Sequence, residues 1–281
     1  MSGIAPLPAV LTVGALTTLA FASSDPLVLG AVLAVSGALL AVSPGPRRLF
    51  AMIALTTGAT VALLNPFVGA QGDLILIDGP SWFLLDLQVT LEELLYGLAA
   101  GARLAAVTML CGAFLGLVDR DRLAAGVSRF APRSALTVAL AARLLPALRR
   151  DATAIGEAAR LRGMAVTGHD RAVLRSWAGL LEPLCAAGLE RGLDHAEAMA
   201  ARGYGSGPRT AMDERPLDRT EQALTLVGAL LSTLAVWSIA TGAARFAWYP
   251  TLGHTASTAV ALAAATLVLG LGGAALARRA S

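Results

Sequence analysis

The sequence predicts an all-α membrane protein of about six transmembrane helices, with a cytoplasmic insert of long crossed amphipathic helices. Two observations lead there. Of 281 residues, 56% are hydrophobic and only 15% charged, and the mean hydropathy is +0.67, a balance foreign to ordinary soluble domains. The charge is also unevenly placed, with 28 of the 41 charged residues lying between Asp119 and Arg219. The expected organisation is four amino-terminal spans over 1–118 with an outer loop at 65–93, a polar cytoplasmic domain over 119–219, and two carboxy-terminal spans over 220–281.

Six apolar stretches are the candidate spans: 7–22, 27–42, 49–64, 94–117, 221–241 and 255–277. The first three hold only about 16 apolar residues each, near the lower limit for crossing a bilayer. Either flanking residues contribute or those helices are short. Residues 5–22 have a second reading as a secretory signal, but no basic segment precedes the apolar run and more spans follow it.

Orientation follows from arginine placement, since positive charge is retained on the cytoplasmic side during insertion. With the amino terminus inside, Arg47, Arg48, the arginines of 119–219, Arg278 and Arg279 are all cytoplasmic, which accounts for 20 of 22 basic residues. Only Arg103, inside the fourth span, and Arg245 remain. The chain is thus expected to be a multi-pass protein of the cell membrane, in contact with the lipid bilayer, with both termini cytoplasmic.

The segment from Asn65 to Glu93 carries Asp73, Asp78, Asp86, Glu92 and Glu93 but no basic residue. Its alternating run Asp73-Leu-Ile-Leu-Ile-Asp78, closed by Gly79-Pro80, reads as a short hairpin or re-entrant loop on the outer face. Solvation of these acids is the preferred reading over cation attraction. Arg103 within a span costs several kcal/mol unless it is paired or reaches water. It is either a packing or substrate-path contact, or a side chain that snorkels or pairs with a neighbouring helix.

From Asp119 the pattern changes to amphipathic helices broken by polar turns. A short helix is expected over 119–126, then a turn at Ala131-Pro132-Arg133-Ser134. A long helix should follow from Ser134 as N-cap to Leu161-Arg162-Gly163, where the glycine suits a helix end. Another is expected from about Asp170 to Arg202, with apolar residues at steps of three and four. Pro146 and Pro183 fall inside these two helices and predict kinks. Small residues such as Gly179, Gly188 and Gly192 would let the two axes approach closely.

Both long helices terminate alike. Leu161-Arg162-Gly163 and Ala201-Arg202-Gly203 each place an arginine directly before a glycine, and the second continues into Tyr204-Gly205-Ser206-Gly207-Pro208. For one arginine alone, attraction to the negative helix end is explanation enough, at roughly 0.3 to 1 kcal/mol. Two copies on crossing helices point further, because a projecting guanidinium donates several hydrogen bonds to carboxylates or carbonyls of a partner. Two such ends predict two partner subunits.

These residues resemble the transmembrane scaffold (T) subunit of energy-coupling factor (ECF) transporters, the EcfT/CbiQ family. The similarity runs over most of the chain: amino-terminal spans, Arg143-Leu-Leu-Pro146, Glu157-Ala-Ala-Arg-Leu-Arg162-Gly163, Leu181-Glu-Pro183, Glu197-Ala-Met-Ala-Ala-Arg202-Gly203-Tyr204, and carboxy-terminal spans. The second motif has the family's Ala-Arg-Gly pattern in full, whereas the first has Leu161 where alanine is frequent. The resemblance implies a coupling subunit of an ABC importer for a vitamin or a transition-metal ion such as cobalt or nickel. It would bind two ABC ATPase subunits through the ends of its coupling helices and hold a membrane-embedded S component that captures the substrate. Leu161, Arg162, Gly163, Ala201, Arg202 and Gly203 would be the ATPase-docking residues. ATP would be used by those partners, with no cofactor bound by this chain.

Other function classes fit less well. The chain contains no lysine, which excludes a Walker A loop, a Schiff-base enzyme and a pyridoxal site. Cys111 and Cys185 are far apart in apolar sequence and give neither metal spacing nor a disulfide framework. An intramembrane enzyme would need a constellation that His169, His195 and His254 do not supply; His195 in Asp194-His195-Ala-Glu197 lacks a second metal ligand at the right spacing, and no Gly-x-Ser-x-Gly elbow is present. A conventional ABC permease with its own substrate pathway is the main alternative, though it would present a single coupling element per chain. The pI of about 9.4 raises nucleic-acid binding, but the arginines of the insert are interleaved with acids, so contact with lipid headgroups explains them better. The orientation is checked by single cysteine labels: Ser206→Cys should react from the cytoplasmic side and Ser81→Cys from the outside, and the reverse pattern would overturn the topology.

Overall fold

The computed structural model describes residues 4–65, 75–77, 81–82, 85–86, 89–119, 122–126, 131–163, 171–207, 216–244, 246 and 257–280. Asp73, Asp78, Gly79, Pro80, His169, Asp170, Pro208, Arg245 and His254 lie outside the described residues. Eight helices account for most of them: α1 Pro6–Ala22, α2 Pro26–Val42, α3 Arg47–Leu64, α4 Leu91–Leu117, α5 Pro132–Leu161, α6 Arg171–Ala201, α7 Arg219–Thr241 and α8 Ser257–Ala280. A single helical turn at 122–126 lies between α4 and α5. Close contacts divide the chain into two units, one of Met1–Leu123 with Pro216–Ser281, the other Ala124–Arg215.

The first unit is a bundle of α1–α4, α7 and α8. By length and composition α3, α4, α7 and α8 are long and apolar enough to cross a membrane, while α1 and α2 are apolar helices of 17 residues. Seventeen residues rise about 26 Å, against a hydrocarbon core of about 30 Å. These two short helices are also central. α1 packs on α7, α4 and α2, and α2 packs on α8, α4 and α1. Leu16, Leu19, Val28, Val32 and Val35 are fully buried between them and their neighbours. Lined by protein along much of their length, they meet the thickness of the bilayer less strictly than a lipid-facing helix would. By contrast α3 packs mainly on α4 and leaves Leu49, Met52, Leu55, Leu63 and Leu64 exposed.

The helix starts follow from local chemistry. Pro6 and Pro26 stand in the first turns of α1 and α2, where a missing N–H costs nothing. The Asp25 carboxylate caps α2 by accepting from the Leu27 amide at 2.9 Å. Thr90 and Glu93 form the capping box of α4, which satisfies two otherwise orphaned amides. Inside the spans, hydroxyls turn back on their own helices: Thr12 donates to the Pro8 carbonyl at 2.9 Å and the fully buried Thr266 to Leu262 at 2.7 Å. With no water to serve them, such groups must be satisfied within the helix.

Between α3 and α4 the chain forms two short antiparallel ladders, β1 Ile75–Ile77 with β4 Val89–Thr90, and β2 Ser81–Trp82 with β3 Leu85–Asp86. The alternating run supplies β1, but its partner is β4 and not β2, the strand that follows it directly. Two acids of that region depart from expectation. Glu92 and Glu93 are not solvated; they are 1% and 2% exposed in the first turn of α4. The charge pattern of a loop cannot reveal this: Glu93 is held as an acceptor at the helix start, whereas Glu92 is buried with its Oε2 lacking a hydrogen-bond partner among the described residues.

The start of α5 is also corrected. Ala131, not Ser134, is the N-cap, and Pro132 opens the helix, since proline's fixed φ is already helical and its absent N–H would have had no partner. α5 and α6 run on as single helices through Pro146 and Pro183.

A tight backbone-to-backbone seam joins α3 to α4. A Cβ added at Gly101 would sit 2.4 Å from the Gly58 carbonyl oxygen, and one at Gly58 would sit 2.9 Å from that of Gly101. Small residues bring the two backbones together because lipid offers no hydrophobic drive for association. Gly101→Ala should therefore destabilise the detergent-solubilised chain by about 1–3 kcal/mol in thermal unfolding. Gly14→Ala, where an added Cβ meets nothing within 4 Å, should be neutral or slightly stabilising.

Candidate functional site

The second unit is built on α5 and α6, 30 and 31 residues long, or about 45 Å each. Two pairings give their relative direction. Gly188 of α6 lies against Leu148 of α5, where an added Cβ would be 3.3 Å from Leu148 Cδ2. A groove of about 520 Å³ is lined by Leu136, Leu140 and Arg143 of α5 and by Asp194, Met199 and Arg202, from α6 and its end. Moving back along α5 thus means moving forward along α6, so the helices are antiparallel. Among the described residues nothing lies within 4 Å of a Cβ added at Gly179 or Gly192, so of these three glycines Gly188 is the one in close contact with the other helix.

An ion pair joins the two helices near the same level. Arg191 donates through both terminal nitrogens to the Asp151 carboxylate, Nη2 to Oδ1 at 3.0 Å and Nη1 to Oδ2. A bidentate pair constrains rotation as well as separation. The arginine beside it holds the Asp151 carboxyl below the usual carboxylate range, chiefly by hydrogen bonding. Nothing in a single sequence pairs these two residues, and the expectations above did not include them.

Both helix ends have the geometry that an arginine–glycine pair permits. At α5 the C-cap is Arg162, the Gly163 amide bonds back to the Arg160 carbonyl at 2.9 Å, and Gly163 has φ +78°. At α6 the Gly203 amide bonds to Ala200 at 2.9 Å and the Tyr204 amide to Met199 at 3.0 Å, with Gly203 at φ +77°. The second pattern is a complete Schellman motif, which needs a left-handed residue that glycine adopts without strain. Leu161 is 91% exposed, and Arg162, Ala201 and Arg202 are exposed as well. Counting outward from Leu148 and Gly188, each arginine lies about 21 Å along its own helix, in opposite directions from that contact.

The surroundings of the two ends differ. Arg202 borders the groove with Arg143, above a floor of Ala139, Leu140, Ala198 and Met199. His195 also borders it, with Nδ1 2.9 Å from the Arg191 carbonyl oxygen. Along the helix pair Val138, Leu145, Leu181, Leu189 and Leu193 are half exposed or more. Among the described residues no group of three His, Cys, Asp or Glu is placed to hold a metal ion.

In the first unit, Arg103 is half-buried and donates from Nη2 to the Ser23 carbonyl at 2.8 Å, at the end of α1. Of the readings open to it, pairing with a neighbouring helix is the one this geometry shows. A helix carboxy terminus carries partial negative charge that suits a cation.

A family model described as cobalt transport protein, CbiQ, matches residues 2–212. No curated protein matches the chain.

The pH dependence of the helix pair follows from Asp151. A carboxyl held low when folded adds stability that is present above its ordinary value, near 4, and is lost as pH falls through the lower folded value. Mobility of a spin label pair on α5 and α6 should stay constant from pH 8 to about 5 and rise only below about pH 4. Asp151→Asn should show the higher mobility at every pH.

Proposed function

The chain belongs to the CbiQ cobalt transport protein family, a multi-pass membrane component of cobalt-type uptake and not an enzyme, and from that premise we propose that it is the coupling subunit of an ECF-type importer. In this reading it transmits ATP-driven motion from two cytoplasmic ABC ATPases to a separate S component that captures a vitamin or a transition-metal ion. It binds no cofactor itself; ATP belongs to the ATPases.

One observation carries the reading. Two similar arginine–glycine helix ends are exposed at opposite ends of an antiparallel pair stapled near its middle. That arrangement suits one ATPase at each end. At each site the guanidinium of Arg162 or Arg202 would donate to carboxylates or backbone carbonyls of the ATPase. Gly163 and Gly203, lacking side chains, let the partner's backbone come close, and Leu161 offers an apolar contact beside the charge. The two ends are not equivalent, because Arg202 has Arg143 nearby and Arg162 has Leu161.

Transmission needs stiffness. The bidentate Asp151–Arg191 pair resists sliding and rotation of one long helix against the other. Motion of the ATPases would then displace the pair as one body, and the exposed apolar residues Val138, Leu145, Leu189 and Leu193 would form the platform against which the S component reorients in the membrane. The orientation that this reading requires, with both termini and the helix pair cytoplasmic, agrees with the placement of 20 of 22 arginines. A permease with its own pathway would present one coupling element per chain, and this chain has two.

The decisive measurement is co-purification with the ATPases. Arg162→Ala and Arg202→Ala should each weaken association by about 2–5 kcal/mol, as truncation of a docked charge does. The double change should abolish ATPase association and uptake while leaving membrane insertion intact. Retention of both activities by the double variant defeats the docking assignment.

A further inference from the structure

One buried carboxylate in the first unit joins three separate stretches of chain. Glu221, in the first turn of α7, is 8% exposed. Its Oε1 accepts from the Ala5 amide at 2.9 Å and from Nη1 of Arg122 at 2.8 Å. Its Oε2 accepts from the Asp218 amide at 3.1 Å. Ala5 belongs to the segment before α1, Arg122 to the segment that follows α4, and Asp218 to the segment that enters α7. Backbone bonds reinforce the join. The Ile4 amide donates to Leu117 at 2.8 Å, the Asp119 amide donates to Ile4 at 3.1 Å, and Ile4 forms a parallel bridge with Val118. Ile4 and Ala5 are buried beneath it.

The location of this join matters for transmission. The chain leaves the first unit after Leu123 and re-enters it at Pro216, so Arg122 and Asp218 are the residues at its exit and its return. A carboxylate is the one side chain able to serve all three donors, because both oxygens are acceptors with two lone pairs each. Glutamine would turn one oxygen into a donor, facing either the Asp218 amide or the Ala5 and Arg122 donors.

We propose that Glu221 is a positioning residue for coupling: it ties the exit and return of the chain to the segment ahead of α1, so that displacement of the helix pair reaches α1 and α7 instead of being absorbed in the connecting strands. This inference rests on the coupling role proposed above. The Asp218 bond is the capping-box bond of α7; the bonds to Ala5 and Arg122 reach beyond what that cap requires.

The test uses the full chain reconstituted with its two ATPases and S component, comparing the parent with Glu221→Gln, Arg122→Ala and Arg122→Lys. Two quantities are read: amide hydrogen exchange at Ala5 and Asp218, and substrate taken up per ATP hydrolysed. Glu221→Gln and Arg122→Ala should assemble and hydrolyse ATP. In Glu221→Gln, exchange at one or both amides should quicken by about tenfold or more, as loss of a charge-assisted hydrogen bond predicts. Uptake per ATP should fall several-fold in both variants. Arg122→Lys, which keeps a cationic donor for Oε1, should stay near the parent. The inference is overturned if exchange quickens with uptake per ATP unchanged, if uptake and hydrolysis fall in proportion, or if both disruptive variants fail to assemble, which would make the carboxylate a folding residue only. A parent chain that recruits no ATPases sinks the coupling role itself, whereas a coupled parent with indifferent variants sinks this inference alone.

Discussion

Away from water, a polar group is costly unless it finds a partner within the protein, and much of the first unit is organised by that constraint. It makes the spans helical, turns the hydroxyls of Thr12 and Thr266 back onto their own helices, and sets Arg103 against the free carbonyl end of α1. It also explains why the buried acids stand at helix starts. Asp25, Glu93 and Glu221 each accept from amides that the first turn leaves unpaired. In the same medium hydrophobic burial cannot draw one apolar helix to another, so association depends on close contact. Gly58 against Gly101 is the place where that contact is closest to backbone on backbone.

The second unit works by other means. α5 and α6 meet through a glycine, a bidentate ion pair and an open groove, and much of their apolar surface is uncovered. A pair of long helices with so little mutual burial is a poor domain by itself and a good surface for others. Its shape serves the proposed role, since the antiparallel arrangement carries two similar helix ends to opposite extremities. Had the helices been parallel, Arg162 and Arg202 would lie side by side, and two large partners would compete for one place. In the first unit, Glu221 gathers the Ala5 amide, the Arg122 guanidinium and the Asp218 amide on one carboxylate.

Much of this was legible before any coordinates. Hydropathy located the six apolar helices, and Gly163 and Gly203 marked the helix ends, where the structure gives both a left-handed φ. The misreadings have local causes. Ser134 looked like a cap because serine often is one, yet Pro132 two residues earlier begins the helix with nothing lost. Glu92 and Glu93 looked solvated because charge counts over a loop ignore where its last residues are pulled into a helix. Gly179 and Gly192 looked like points of helix contact, but a small residue allows an approach without requiring it.

Composition and periodicity determined what each stretch of this chain becomes, because helix formation and membrane solvation respond to residues within a few turns of one another. Family membership was also readable there, from motifs that are contiguous along the chain. Which helix faces which was decided only in three dimensions. The pairing of Asp151 with Arg191, of Gly58 with Gly101, and of Glu221 with Ala5 and Arg122 spans tens to hundreds of positions. Such contacts carry no periodic signal, since their energy depends on a distance that exists only once the helices have packed.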